Sequence, residues 1–210
     1  VVTSTGATRI YRARPERPPA RQTSVMRVCE NARLEFLPDP LIPFAGARFE
    51  QRTTIALDPG ATLFWWETLA PGRAAMGEVF DYEWLRFETE IRACGEPIAL
   101  ERAELEPRLR PLGSVLRLGP FRYLATFYIC RAGAPREIWA GLERDLTSLA
   151  IQIGRPSEVL WGVSALAAHG LVVRGASSSG RPIPGALAEF WRRAKLKLCG
   201  QAAVLPRKIY

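Results

Sequence analysis

The amino-acid sequence predicts a mainly β fold with about two α-helices in the C-terminal third of the chain. Over most of the first 130 residues, apolar side chains recur at every second position, which is the spacing of a half-buried strand. Helical spacing of three and four residues begins only after residue 134. The 210 residues are 48% apolar and 24% charged. This composition is typical of a globular protein with a hydrophobic core, and we expect residues 1–210 to form a single domain.

The alternation predicts strands in this order along the chain: 7–12, 24–28, 33–37, 48–57, 61–68, 84–92, 98–105 and 122–130. The clearest is the strand at 48–57, which ends at the turn sequence Asp58-Pro59-Gly60. One face of this strand carries five alternate side chains, Phe49, Gln51, Thr53, Ile55 and Leu57. Turn residues at 94–97 predict that the strands on either side of them form a hairpin.

Two segments near the end of the chain show the apolar stripe of an amphipathic helix. At 135–150 the stripe consists of Ile138, Leu142, Leu146 and Leu149. At 184–198 the stripe is longer, two lysines lie in the last turn, and a glycine follows at position 200 as a stop. Segment 12–22, with three prolines and four arginines, is predicted to be an exposed loop.

The cysteines and the lone histidine do not form a metal-binding pattern. Cys29, Cys94, Cys130 and Cys199 lie far apart in sequence, and His169 is the single histidine, so we expect no structural zinc site. We expect four reduced, mostly buried thiols in a cytoplasmic protein. No stretch reaches the roughly 18 to 20 apolar residues of a membrane span, and the first residues do not resemble a signal peptide.

Charge is distributed unevenly along the chain. The net charge is +8, with a local excess of +5 at residues 9–33 and of +6 at residues 181–210. Residues 78–106, in contrast, hold nine acidic side chains against three arginines. We expect the basic ends to attract acidic partners and the acidic centre to attract cations.

Two glycine-rich segments approximate a phosphate-binding loop without matching one. Segment 72–78 has the glycine spacing, but Glu78 stands where lysine is needed, which predicts a tight loop between strands. Segment 175–182 follows a strand-like stretch at 171–174 but has Arg181 and Pro182 in place of the lysine and the hydroxyl residue. No serine lies in a GxSxG sequence. We therefore predict no catalytic residues and no enzyme, although a hydrolase that uses paired carboxylates stays open.

Several short motifs lie in a fixed order along the chain. The strongest is Trp66-Glu67 followed by Gly72-Arg73, Ala75 and Gly77-Glu78. The others are TSTGATRIYR at 3–12, LEFLP at 34–38, IPFAGAR at 42–48, GVSAL at 162–166, GLVVR at 170–174 and PRKI at 206–209. Together they resemble the motifs of the UreD family of urease accessory proteins, also called UreH. Members of that family start further upstream, so the resemblance implies a UreD-like domain without the family's N-terminal strands.

The resemblance implies a fold and a function. The fold is one of stacked β-sheets, in β-helix-like or sandwich layers. The function is that of a cytoplasmic, non-enzymatic maturation factor, which binds the accessory protein UreF, contacts the GTPase UreG through UreF, and docks both onto the urease apoprotein. Nickel passes through or along the UreD-type subunit in transit, no cofactor is tightly bound, and GTP is bound by UreG.

Carboxylates of the acidic centre are the candidate nickel ligands. Carboxylate oxygens bind Ni²⁺ more weakly than clustered imidazole or thiolate groups, which suits transfer better than storage. The candidates for a transit route are Glu67, Glu78, Asp81, Glu88 and Glu90. If they are instead solvated strand charges, their replacement will leave urease activation unchanged.

Basic residues near the two ends are the candidate partner contacts. The set consists of Arg9, Tyr11, Arg12, Arg73, Arg192, Arg193, Arg207 and Lys208. Contacts of this kind to acidic patches on UreF or urease weaken as salt is added. The same charge leaves an alternative function open, a basic β-domain that binds nucleic acid or another polyanion.

Overall fold

The computed structural model describes residues 1–206, which form two β-sheets and two α-helices. The strands are β1 Thr8–Ile10, β2 Ala20–Val28, β3 Arg33–Phe36, β4 Leu41–Pro43, β5 Arg48–Leu57, β6 Thr62–Leu69, β7 Trp84–Ala93, β8 Glu96–Leu105, β9 Tyr123–Arg131, β10 Val159–Ala165 and β11 Gly170–Ser177. The helices are α1 Arg136–Ile153 and α2 Pro182–Cys199. The predicted mainly β fold with stacked sheets is confirmed.

The elements pack in three layers. Sheet A has the strand order β1-β4-β6-β9-β11-β10, with β3 also paired to β6, and sheet B has the order β2-β5-β7-β8. Alternate residues of β6 separate the layers, because Phe64 and Trp66 pack with the helices while Leu63 and Trp65 pack with strands of sheet B. Sheet A therefore lies between the two helices and sheet B.

Parallel pairing gives the first half of the molecule its β-helix-like character. Strands β2, β5 and β7 pair in parallel within sheet B, and β1, β4 and β6 do so within sheet A. The chain crosses repeatedly from one sheet to the other over its first 105 residues. As a result, residues far apart in sequence lie side by side in rows that run across each sheet.

Most predicted elements are confirmed within a few residues. Strand β5 has the predicted bounds, the hairpin of β7 and β8 is present, and both helices form. The sequence does not predict β4, which is only three residues long, or β10, in which Gly162 and Ser164 interrupt the apolar pattern. Strand β11 is longer than the strand-like stretch at 171–174.

Two further predictions are wrong in detail. Residues 20–22 begin β2 and are not part of an exposed loop, because pairing with β5 extends the strand beyond its apolar residues. The thiols are not mostly buried. Cys130 is buried and Cys199 is partly covered, but Cys29 and Cys94 lie just beyond strand ends and are exposed.

A buried ion pair fastens the last helix to sheet A. Lys195 of α2 places its Nζ 2.9 Å from Oε1 of Glu35 on β3, and both side chains are almost completely buried. The indole Nε1 of Trp191 donates a hydrogen bond of 2.9 Å to the other carboxylate oxygen. Nε of Arg33 lies 2.8 Å from Oε1 of Glu35 and forms a second ion pair with it. Burying these charges is tolerated because each polar atom has a partner.

Candidate functional site

A layer of polar side chains crosses the interior between the two sheets. In sheet B, the pairing places Ser24, Thr53, Thr89 and Glu101 in one row across the four strands. In sheet A, the facing row consists of Glu67, Thr126 and Arg174. We call the following set the polar belt: Ser24, Gln51, Thr53, Glu67, Thr89, Glu101, Tyr128 and Arg174. It separates an apolar cluster around Ile55 from another around Phe49.

Glu67 is the most deeply placed carboxylate of the belt. Its position on β6 directs the side chain toward sheet B, where Nε2 of Gln51 donates a hydrogen bond to Oε1 of Glu67. Burial raises the pKa of Glu67 from its ordinary value of 4.5 to about 7, and the charge of Glu101 adds to the increase while the Gln51 bond opposes it. Glu67 therefore exchanges its proton in the neutral range.

A small cavity opens beside Glu67. Its volume is about 130 Å³, and hydroxyl, amide and carboxyl groups line much of it. Gln51 is only 4% exposed, and its Oε1 atom has no hydrogen-bond partner among the described residues. An unpaired buried acceptor is costly, so the site favours a donor or a cation. Gln51 and Glu67 offer the oxygen ligands that hard divalent cations accept.

The belt reaches the surface beside Arg174. The hydroxyl of Tyr128 donates a hydrogen bond to Glu101, and an Arg174 nitrogen lies 2.8 Å from the same carboxylate oxygen. Arg174 is 56% exposed in its side chain. Burial raises the pKa of the Tyr128 hydroxyl, and the Glu101 bond adds to this effect, so Tyr128 stays a donor at neutral pH.

The other predicted transit carboxylates lie outside the belt. Glu88 and Glu90 are on the outer face of sheet B, where Glu88 lies 3.2 Å from Arg52 and Glu90 lies 2.6 Å from Arg92. Asp81 is in the loop before β7 and accepts the Val79 backbone N–H at 3.1 Å. Within residues 1–206, no three His, Cys, Asp or Glu side chains are grouped so that they could hold a metal ion.

Glu78 closes the loop that resembles a phosphate-binding loop. Its carboxylate forms a two-point ion pair with Arg73 and accepts the Ala45 backbone N–H at 3.2 Å. The Arg73 bond holds the pKa of Glu78 below its ordinary value. Gly72 has a φ of +146°, and a Cβ there would lie 2.7 Å from the Glu78 carbonyl oxygen. The predicted tight loop is confirmed, and these contacts explain its glycine, arginine and glutamate.

A large apolar groove lies on the helix side of sheet A. Its volume is about 1040 Å³, and it runs between β1, β4, the 70–75 loop and the start of α2. The predicted partner residues Arg9, Tyr11 and Arg73 all line it. The Arg73 guanidinium stacks 4.3 Å above the ring of Phe44, which keeps its stem along the groove wall.

The remaining predicted partner residues lie elsewhere. Arg12 lines a separate cavity, and Arg192 and Arg193 of α2 pair with Glu189 at 3.1 and 3.2 Å. Arg207 and Lys208 lie outside the described residues. The structure thus brings three of the eight candidates together, in the groove.

The other motifs have structural roles. Residues 175–177 end β11 and Pro182 begins α2, so the glycine-rich segment 175–182 is a connection between these elements. The Nδ1 atom of His169 accepts the Gly133 backbone N–H at 3.2 Å. In the described part of the chain, no helix has both the length and the apolar character needed to cross a bilayer.

Sequence reasoning found Glu67 but missed Gln51, Glu101, Tyr128 and Arg174. The available signal was the presence of polar residues in the apolar set of β5, where Gln51 and Thr53 interrupt an inward face. Glu101 lies on the predicted hairpin, but it meets Tyr128 and Arg174 only because β9 pairs with the distant β11 and the two sheets stack.

Comparisons with known proteins agree on one family. The family model described as "UreD urease accessory protein" matches residues 1–209. The chain is similar to the urease accessory protein UreD of Herpetosiphon aurantiacus, at 46% identity over 209 residues that cover 100% of this chain and 72% of the relative. It also matches UreD proteins of Pseudomonas fluorescens, at 31% identity with 98% and 68% coverage, and of a Bacillus species, at 27% with 99% and 73%.

Proposed function

The chain belongs to the UreD family of urease accessory proteins, and from this we propose that it is a scaffold for nickel insertion into urease. In this role it bridges a complex of UreF and the GTPase UreG to the urease apoprotein in the cytoplasm. Nickel is the cargo, and GTP is bound by UreG. The chain itself carries no catalytic residues in this proposal.

The polar belt is the observation that carries the proposal. Glu67 and the unpaired Gln51 oxygen meet at an interior cavity, where no arginine or lysine forms an ion pair with Glu67 among residues 1–206. A carboxyl group that exchanges its proton near neutral pH can accept a divalent ion and regain the proton when the ion leaves. A single carboxylate with an amide oxygen binds Ni²⁺ weakly, which suits passage.

The groove supports the scaffold role. It is mostly apolar, Arg9 and the Arg73–Glu78 ion pair adjoin it, and Tyr11 is exposed along it. An apolar segment of UreF with acidic residues at its edge would match this combination of surface and charge. Arg174, where the belt reaches the surface, does not line the groove, whereas the cavity beside Glu67 shares Thr3, Pro38 and Thr68 with it.

Nickel delivery is tested by co-expression with UreF, UreG and apo-urease. We expect Glu67→Gln to assemble normally but to lower the nickel content and activity of urease at least tenfold. The matched control is Glu88→Gln, which removes a carboxylate from the outer face of sheet B and should leave activation within twofold of wild type. Equal activation by both variants would show that the belt is not the route.

The groove is tested by binding to purified UreF. We expect Tyr11→Ser combined with Arg9→Gln to weaken UreF binding, and the wild-type dissociation constant to rise with salt. The control is Arg193→Gln, which lies on α2 and does not line the groove. Unchanged UreF binding by the double variant would exclude the groove as the UreF site.

A further inference from the structure

The connection between β8 and β9 has a strong positive charge. We call residues 107–122 the basic loop. It contains no acidic residue and four arginines, Arg108, Arg110, Arg117 and Arg122. The neighbouring strand β8, in contrast, carries glutamates at three positions. The loop is therefore a local source of positive potential beside the acidic centre of the chain.

The tip of the basic loop exposes two adjacent aliphatic side chains. Val115 is 91% exposed and Leu116 is 97% exposed. Single exposed aliphatic residues are common on protein surfaces. Here, however, two adjacent side chains project almost completely into solvent between Arg110 and Arg117, which are themselves exposed. This arrangement combines an apolar tip with a cationic rim.

The loop is held in place from within. The backbone N–H of Leu118 donates to the Leu112 carbonyl at 3.0 Å, and that of Gly119 donates to the Ser114 carbonyl at 3.0 Å. Leu112 is buried and packs in the same apolar cluster as Tyr82. The tip is thus presented by an anchored loop, which lowers the entropy cost of ordering it on binding.

We propose that the basic loop is a docking element for an acidic protein surface that offers a small apolar pocket, and that this surface is on the urease apoprotein. This inference rests on the proposed scaffold function. Val115 and Leu116 enter the pocket, and the arginines pair with carboxylates around it. Interface energy is concentrated in such buried anchors, while charges at the rim raise the association rate.

Two features favour urease over the other candidates. None of the described residues at 107–122 lines the groove assigned to UreF, so both contacts can exist at once and the chain can bridge two proteins. A lipid surface is less well matched, because the loop contains no Trp or Tyr of the kind that anchors proteins among headgroups. Lipid binding is nevertheless one outcome of the test.

The test measures binding of the full chain to immobilised apo-urease over a series of NaCl concentrations. We expect Val115→Ser combined with Leu116→Ser to raise the dissociation constant roughly thirtyfold, because both aliphatic side chains are buried in the complex. Arg110→Gln combined with Arg117→Gln should flatten the salt dependence. The control is Val25→Ser combined with Ile151→Ser, since each of these residues is 76% exposed elsewhere on the surface. Its affinity should stay within twofold of wild type.

Each result has a definite meaning. A selective loss in the tip variant, with UreF binding retained, supports the proposal. An unchanged dissociation constant for the tip variant overturns it and leaves the scaffold function standing. Wild-type protein that does not bind urease overturns both. Tip-dependent binding to phosphatidylserine-containing vesicles, with urease binding unaffected by the tip, assigns the loop to a membrane and also overturns the proposal.

Discussion

Carboxylates occur in two regions of this protein, the polar belt and the outer face of sheet B. The two regions differ in how many of these carboxylates pair with arginine. On the outer face, Arg21, Glu50, Arg86 and Glu104 follow one another across the four strands, so that charges alternate along the row. The outer two pairs measure 2.7 and 2.5 Å. In the next row, Glu88 lies between arginines of two neighbouring strands.

Within the belt, Glu101 pairs with Arg174, but Glu67 has no ion-pair partner among the described residues. The Gln51 amide donates a hydrogen bond to Glu67, whereas Tyr128 and Arg174 both donate to Glu101. Three of the nine acids in the acidic stretch, Glu88, Glu90 and Glu104, lie on the outer face, where arginines already pair with them. A cation is attracted more strongly to a buried carboxylate without a counter-charge, so the pairing of acids is more informative than their number.

The largest effect is expected where a buried carboxylate does have a cation. Glu35→Gln removes the ion-pair partner of Lys195 and should lower the free energy of unfolding by about 3 to 5 kcal/mol, because the ammonium group stays buried without a counter-charge. Urea denaturation measures the change. Glu35→Leu combined with Lys195→Met should recover part of the loss, because the buried ammonium is gone although the Trp191 N–H still lacks its acceptor. A double variant as unstable as the single one would contradict this explanation.

The opposite effect is expected at Glu67 in the belt, where replacing the carboxylate by an amide should stabilise the folded protein. Its folded-state pKa of about 7 lies above the ordinary value of 4.5, so the folded protein holds the proton more tightly than the unfolded chain. The resulting stabilisation is complete below pH 4.5 and is lost as the pH rises through 7. At pH 8 we expect the free energy of unfolding of Glu67→Gln to exceed that of wild type by about 3 kcal/mol. At pH 5 the difference should be small, and a constant difference between these pH values would be inconsistent with the raised pKa.

A smaller effect is expected at the Tyr128 hydroxyl. Tyr128→Phe keeps the ring stacked on Trp65, with centroids 5.2 Å apart, but removes the donor to Glu101. The free energy of unfolding should fall by about 1 kcal/mol because the partly buried Glu101 carboxylate loses one of its two donors and keeps Arg174. Thermal or urea unfolding is suitable, and Trp84→Phe on sheet B serves as a conservative aromatic control.

The smallest effect is expected on the outer face. Glu88→Gln breaks ion pairs with Arg52 and Arg102, but both arginines are well exposed, so the free energy of unfolding should change by less than about 1 kcal/mol. Added salt should reduce even this difference. A loss as large as that of Glu35→Gln would remove the distinction between the two regions.

Local sequence patterns predicted much of the fold. Strand β5 could be delimited because its apolar residues alternate and a turn sequence follows, and α2 because its apolar stripe ends at Gly200. Strand β4 could not, since three residues are too few to show a period. Of the belt, the sequence predicted only Glu67 as a site residue, for another reason. Glu101 and Arg174 are separated by 73 positions and meet only when sheets A and B stack.

The candidate partner residues show the same limit. Arg9, Tyr11 and Arg73 come together because β1, β4 and the 70–75 loop adjoin, which no local pattern indicates. All three lie in motifs of the UreD family, and these motifs were informative because members of a family share a fold. Arg192 and Arg193 carry the same charge but do not line the groove, so charge alone did not separate groove residues from surface ones.

The late position of α2 in the chain has a consequence for biosynthesis. The ring of Trp66 packs against that of Trp191, with centroids 6.4 Å apart. The helix that covers this aromatic face of β6 is therefore synthesised more than a hundred residues after the strand. At translation rates of 5 to 20 residues per second, the delay is about 6 to 25 s. During that interval the ribosome-bound nascent chain exposes the aromatic face of β6 to solvent. We expect such chains, when stalled before residue 182, to recruit general holdases and to be released from them once α2 has emerged.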